Sequence, residues 1–398
     1  MNRQLDKLHP YPFEKLNKLK AGITPPAELE HIALSIGEPK HESPAFVRDE
    51  LTRQLTTLSS YPLTRGLSEL RQTICNWLSS RFTLASNSLD PERHVLPVNG
   101  TREALFAYAQ AVVDKTMNPL VLMPNPFYQI YEGAAYLAGA EPCYLNTTAE
   151  NNFIPDFDSV SEATWQRCQL LYICSPGNPT GSVIGIDTLK QLIELAEKHD
   201  FVIASDECYS EIYQDKDNPP VGLLQAASEM GNHDYTRCVV FHSLSKRSNL
   251  PGLRSGFVAG DAEVLAKFLK YRTYHGCAMP VHHQYASIKA WADEQHVRQN
   301  RDLYQQKFKA VLDILSPVLD MQMPEASFYL WPRTPVDDET FARELFAQQN
   351  VTVLPGRYLS READGINPGE NRVRMALVAP LDECIEAAQR IKQLVENL

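Results

Sequence analysis

The run Gln169-Leu170-Leu171-Tyr172-Ile173-Cys174, closed by Ser175-Pro176-Gly177-Asn178-Pro179, decides the fold class of this chain. Its apolar residues are nearly continuous rather than alternating, so the strand it predicts is covered on both faces. A helical pattern follows, predicted from a cap at Asp187 through His199, with Leu189, Leu192, Ile193 and Ala196 on one face. Phe201-Val202-Ile203-Ala204 then reads as a second strand. Buried strand, helix, buried strand is the unit of a parallel sheet. The same alternation recurs outward in both directions. Val95-Leu96-Pro97-Val98 leads into Asn99-Gly100-Thr101 and a helix from Arg102. Residues 120–123 form a strand candidate ended by Pro124-Asn125-Pro126, and 238–241 run toward Ser243. An α/β fold with a mainly parallel sheet covered by helices is therefore expected. In such sheets ligands bind beyond the carboxyl ends of the strands. The polar residues at 99–101, 178, 206 and 243–246 each follow a predicted strand, so distant parts of the chain converge on one sheet edge.

Past residue 280 the pattern changes. A long helical stretch, 281–315, precedes strand-like segments at 328–331, 351–354 and 372–377, and a final helix is predicted over 381–396. A large domain over 41–284 is expected, with a smaller α+β domain built from 285–398 and the N-terminal residues 1–40.

Composition removes several function classes. A net charge of -11 argues against a nucleic-acid surface. No apolar stretch approaches the ~20 residues that span a bilayer. The opening residues, Met1 to Lys7, lack the apolar core of a secretory signal, so a cytoplasmic location is expected. The 8 cysteines form no CxxC pair, and several sit inside apolar runs. They read as reduced thiols, and no metal site is expected.

The chemistry concentrates in Ser243-Leu244-Ser245-Lys246-Arg247-Ser248-Asn249-Leu250-Pro251-Gly252-Leu253-Arg254. A lysine at the end of a buried strand can lose enough water to act as an amine nucleophile and form a Schiff base. Ser243, Ser245 and Arg254 are suited to hold a phosphate nearby. Together they point to pyridoxal 5'-phosphate; an exposed lysine on a turn is the competing reading. Asp206 is suited to face a pyridinium nitrogen, or to cap a helix. Tyr209 can reach the ring's phenolic oxygen. The Asn178 amide can donate to the same oxygen, or belong to a rigid turn. Gly100 and Thr101 stand at a strand-to-helix junction, where unpaired N–H groups attract phosphate. Tyr128 can stack on a planar ring or fill the core. Arg374 can clamp a carboxylate in bidentate fashion, with Arg372 as its rival on the same strand face.

These segments resemble, in order and over nearly the whole chain, the pyridoxal-phosphate-dependent aminotransferases of fold type I, class I/II. The resemblance rests on Asn99-Gly100-Thr101-Arg102-Glu103-Ala104-Leu105, Ser175-Pro176-Gly177-Asn178-Pro179-Thr180-Gly181, Ser205-Asp206-Glu207-Cys208-Tyr209 and Ser243-Leu244-Ser245-Lys246, with Val373-Arg374-Met375-Ala376 late in the chain. It implies an aspartate aminotransferase-like fold with a seven-stranded sheet. It implies that Lys246 forms the internal aldimine and shuttles a proton, and that Asp206 pairs with the pyridine nitrogen. Asn178 and Tyr209 would bond the phenolic oxygen, and Tyr128 would stack on the ring. Thr101, Ser243, Ser245 and Arg254, with the amides near Gly100 and Arg102, would hold the phosphate. Arg374 would bind the α-carboxylate, helped by backbone near Gly37. Tyr61 would reach the phosphate of a partner subunit, making the active unit a homodimer. Within the family, Leu8-His9-Pro10-Tyr11-Pro12-Phe13 and Ser245-Lys246-Arg247-Ser248-Asn249 are most similar to the bacterial N-succinyldiaminopimelate aminotransferases. That branch transfers an amino group between glutamate and N-succinyl-2-amino-6-oxopimelate. Both substrates are polyanionic, so Arg247 is expected beside the substrate. Aspartate or aromatic aminotransferases, a carbon–sulfur lyase and a non-catalytic regulator remain alternatives.

Overall fold

A computed structural model describes residues 1–398. Its twelve strands are, in chain order, β1 (Ile32–Ala33), β2 (Val95–Val98), β3 (Leu120–Asn125), β4 (Glu141–Asn146), β5 (Cys168–Cys174), β6 (Val202–Asp206), β7 (Cys238–Ser243), β8 (Gly256–Gly260), β9 (Tyr329–Leu330), β10 (Val351–Thr352), β11 (Leu354–Pro355) and β12 (Val373–Ala376). Seven of them form one sheet in the order β2-β8-β7-β6-β5-β3-β4. All its strands run parallel except β8, which is antiparallel to both β2 and β7.

The strands of this sheet are apolar on both faces because each face has its own core. Leu171 and Ile173 of β5 point into one core, and Leu170 and Tyr172 into the other. In β7, Val240 faces the first core while Val239 and Phe241 face the second. The helix Ile186–His199 covers one face with Leu189, Leu192, Ile193 and Ala196, all buried. Burial of each of its larger aliphatic side chains stabilises by about 1.5–3 kcal/mol. The helix begins at Ile186, so Asp187 lies in its first turn rather than capping it; the cap position is Gly185. Asp187 still places a negative charge near the positive end of the helix dipole.

A third core gathers the helices Gln295–Leu315, Asp338–Gln349 and Leu381–Glu396 around the sheet β11-β12-β9 and the parallel pair β1-β10. Ile32 of β1 pairs with Val351, which ties the N-terminal segment to the C-terminal one. The stretch 281–315 is two helices, Val281–Ala292 and Gln295–Leu315. The break falls where Asp293 Oδ1 accepts the N–H of His296 at 3.0 Å. The first of these helices buries Ala286, Ala290 and Trp291 in the core of the large sheet, so a boundary at 284/285 would cut through it. The segment 351–354 is likewise split. Val351–Thr352 pairs with β1, whereas Leu354 pairs with Arg374 of β12. No helix is long and apolar enough to cross a membrane. All eight cysteines are free thiols.

Candidate active site

The parallel strands end along one edge of the large sheet, and the chain crosses that edge at each predicted polar segment. Val98 of β2 and Ser243 of β7 both pair with Gly256 of the reversed strand β8, so Arg254, just before β8, is delivered to the same edge. There a cavity of about 550 Å³ opens against the smaller core. Lys246, Asp206, Tyr209, Asn178 and Tyr128 line it, together with Arg374 from β12 and Gly37 from the segment after β1. Thr101, Arg102, Ser243, Ser245 and Arg254 complete its polar wall.

Lys246 lies on a single helical turn, Leu244–Arg247, whose N-cap Ser243 accepts the N–H of Ser245 at 3.1 Å. The lysine Nζ donates to Gly37 O at 2.7 Å. Desolvation is the main reason its pKa falls from 10.5 to about 8; Arg374 and Arg254 push the same way, while Cys208 and Glu38 oppose them. An amine with that pKa is partly unprotonated near neutral pH, as nucleophilic chemistry requires.

Asp206 ends β6 and is buried. Its Oδ2 accepts from Tyr131 Oη at 2.8 Å, and its Oδ1 from the Cys208 N–H at 3.3 Å. Burial still raises its pKa, so the carboxylate lacks a full counter-charge. Burial also raises the pKa of Tyr209, which keeps it a phenol; its Oη lies 3.1 Å from Tyr329 Oη. Arg374 Nη1 donates to Asn178 Oδ1 at 3.1 Å and Nη2 to Ser35 O at 2.8 Å. Its Nε is buried with no partner. Because Asn178 presents its oxygen to Arg374, its amide N–H groups are free to donate elsewhere. Arg254 is held by Pro251 O at 2.9 Å and by Asn99 O, with no carboxylate. Its backbone is left-handed, φ 52°. Gly100 does not line the cavity, yet a Cβ there would strike the Arg254 guanidinium.

A family model described as aminotransferase class I and II matches residues 30–391. The chain belongs to that family. An LL-diaminopimelate aminotransferase of Dehalococcoides mccartyi is 32% identical over 394 residues, 97% of this chain and 96% of that one. A crystal structure of an aminotransferase from Neisseria meningitidis superposes with a TM-score of 0.94 at 51% identity, over 99% of this chain and 100% of the other. A probable N-succinyldiaminopimelate aminotransferase from Thermus thermophilus has a TM-score of 0.83 at 26% identity, with 96% and 99% covered.

Aminotransferases of this family depend on pyridoxal phosphate, and the donor set of this one fits that group. The buried Asp206 lacks the cationic partner that a protonated ring nitrogen provides. Two serines, a threonine and the carboxylate-free Arg254 suit a phosphate. Arg374 keeps one N–H without a protein partner.

Arg247 departs from expectation. Its side chain turns away from the cavity, is 2% exposed, and pairs with Glu294. It donates to Ala290 O at 2.8 Å and lies over the rings of Trp291 and Trp77, at 4.8 and 5.4 Å. Successive residues on a helix point about 100° apart, and on this turn Lys246 projects to Gly37 O while Arg247 projects to Glu294 and Ala290 O. The guanidinium in the cavity besides Arg254 and Arg374 is Arg102, whose Nε donates to Tyr128 Oη at 2.6 Å and Nη2 to Tyr11 Oη at 3.3 Å. Arg372 is separated from Arg374: it precedes β12 and donates to Trp331 O at 2.9 Å. Tyr61 is fully exposed on this chain and away from its cavity. Tyr131 and Tyr329, which hold Asp206 and Tyr209, carry no signal of that role in the sequence. Both sit in apolar patterns that read as core.

Proposed function

We propose that this aminotransferase exchanges an amino group between glutamate/2-oxoglutarate and N-succinyl-2-amino-6-oxopimelate, with Lys246, Asp206 and Tyr209 as its catalytic residues. The observation that carries the substrate class is a third guanidinium in the cavity. Arg254 suits the phosphate and Arg374 the α-carboxylate, which leaves Arg102, bonded only to hydroxyls, for a distal carboxylate. The similarity to diaminopimelate-type aminotransferases supports the same class.

When bound, pyridoxal phosphate supplies the electron sink for the bond broken at the substrate Cα. The remaining work falls to side chains. Arg374 and Asn178 orient the α-carboxylate, so that the Cα proton faces Lys246. The Lys246 amine, with its pKa near 8, takes and returns that proton close to neutral pH. Asp206 would keep a positive charge on the ring nitrogen. Tyr209 and the Asn178 amide would donate toward the phenolic oxygen, Tyr128 would pack on the ring, and Arg374 holds Ser35 O.

Free LL-diaminopimelate is a second reading, favoured by the 32% identical relative and by the exposed Glu38 at the cavity wall. A free distal ammonium would meet that carboxylate; a succinyl amide would not need it. A transamination panel with succinylated and free diaminopimelate, oxaloacetate and aromatic keto acids tests both. Turnover of oxaloacetate with none of either pimelate would overturn the substrate class.

The active unit is a homodimer in this reading. Tyr61, Leu58 and Leu63 form an exposed apolar group that a partner would cover, placing Tyr61 near the partner's phosphate. Sedimentation and cofactor retention in Tyr61→Phe test it. Eight free thiols suit a cytoplasmic setting.

A further inference from the structure

Lys246 is held at both ends. Its Nζ meets Gly37 O at 2.7 Å. At the other end, Asn300 Nδ2 donates to Lys246 O at 3.1 Å and to Arg247 O at 3.3 Å. Those carbonyls end a helical turn and have no partner within it. Asn300 is 4% exposed, and its second end is equally constrained. Its Oδ1 accepts from Asn249 Nδ2 at 2.7 Å and faces His41 Nδ1 at 2.8 Å. With Nδ2 committed to two carbonyls, Oδ1 must be the acceptor, so His41 Nδ1 carries the proton. His41 Nε2 is then free to accept from Lys307 Nζ, 2.6 Å away. Lys307 is 2% exposed, and its other partner is Val378 O at 3.3 Å, not a carboxylate.

We propose that Asn300, oriented by His41 and Lys307, is a positioning residue for the catalytic lysine. The segment 35–41 reaches both ends of Lys246. Ser35 O accepts from Arg374, Gly37 O accepts the lysine amine, and His41 fixes the amide that grips the lysine's backbone. A shift of this segment when a substrate carboxylate reaches Arg374 is therefore felt at both ends of Lys246. The relay sets where the amine stands relative to the substrate Cα, without touching substrate or cofactor.

The proposal rests on Lys246 being the residue that binds the cofactor. Borohydride reduction of the holoenzyme followed by peptide mass spectrometry tests that separately; label on another residue overturns the assignment itself. With label on Lys246, Asn300→Ala and Asn300→Asp are compared with wild type. A lysine displaced by a fraction of an ångström predicts kcat lower by about 10–100-fold with KM little changed. The pH at which the cofactor's visible band titrates should move by about half a unit or more, as should the pH profile for reductive methylation of Lys246 in cofactor-free protein. His41→Leu should reproduce these effects, and His41→Asn, which keeps a donor toward Asn300, should recover most of kcat. Lower melting temperature with wild-type kcat and wild-type titration would make Asn300 a purely structural contact and overturn the proposal. Should the Asn300 variants not fold, the His41 pair decides: equal kcat in His41→Leu and His41→Asn overturns it.

Discussion

The single turn Leu244–Arg247 presents adjacent cations to two different regions. On the cavity side, Lys246 Nζ has a carbonyl partner and the rings of Phe328 and Tyr209 at 5.2 and 6.0 Å. On the opposite side, Arg247 has the Glu294 carboxylate, two carbonyls and two indole faces. Burial is the largest influence on both and lowers both pKa values. The outcomes differ because of the counter-charge and the chemistry of the group. A lysine without a carboxylate becomes an amine that titrates near neutral pH. An arginine remains a cation and, given a carboxylate and aromatic faces, fastens two helices together. Desolvation makes a reactive group only where the counter-charge is withheld.

Removing the reactive side should have the largest effect. Lys246→Ala should lower the transamination rate by more than about 10⁴-fold, because nucleophile and proton carrier are lost together. Lys246→Arg should be as inactive, since a guanidinium keeps its charge. A half-reaction assay with glutamate measures both. Next in size is Arg374→Ala, which removes the proposed carboxylate clamp and the tie to Ser35 O. Loss of a buried charged hydrogen-bonding partner predicts about 10²–10³-fold in kcat/KM, borne mainly by KM. Steady-state kinetics with each substrate checks the split.

The contrast between the two cations also marks where sequence reading stops. The sheet was legible wherever a strand is buried on both faces: 169–174 and 238–241 carry continuous apolar runs, and Cys168–Cys174 and Cys238–Ser243 are the strands formed. β4 was not legible. It is the edge strand, half-buried along its length and interrupted by Pro142. β8 is bounded by glycines and has a short apolar centre. In the site, residues following buried strands were legible because topology alone brings strand ends together. The side chain of Arg247 was not, because its direction depends on a helical turn one residue long past the lysine. Glu294, which claims it, lies in a helix break inside a stretch that reads as one continuous helix. Tyr131 and Tyr329 escaped for a related reason: a buried tyrosine looks like core until its hydroxyl is placed.

The structural side of the turn predicts effects on stability rather than catalysis. Arg247→Met should cost about 1–3 kcal/mol, less than breaking a fully buried pair, because the remaining Glu294 carboxylate is partly hydrated. Its kcat should stay within about twofold of wild type, as for a change remote from the reacting atoms. Glu294→Gln should cost at least as much, because it leaves the guanidinium buried without its carboxylate. Urea melts of the holoenzyme measure these differences. A large loss of activity on the succinylated substrate in Arg247→Met, with stability unchanged, would reverse the assignment of the two faces.

The effect that moves no rate, only the pH dependence of stability, sharpens the comparison most directly. Burial lowers the pKa of Lys246 from 10.5 to about 8, and of Lys307 to about 8 as well. Between pH 8 and 10.5 the unfolded chain still holds protons that the folded, cofactor-free protein has released. Stability therefore rises with pH across that window by this contribution, and the cost of each buried ammonium is fully present below pH 8. Each lysine should contribute on the order of 1–3 kcal/mol. Buried thiols work in the opposite direction: Cys238, whose pKa burial raises, stays protonated when folded and loses stability to the unfolded thiolate as pH rises. The wild-type curve alone mixes the two, so the informative quantity is a difference. Lys246→Met should be more stable than wild type at pH 7, and the gap should close toward pH 10.5. Arg247→Met should differ from wild type by the same amount at every pH in that window, since a guanidinium does not titrate there. Parallel curves for Lys246→Met and wild type would show that the lysine is not desolvated, and the distinction drawn between the two cations would fail.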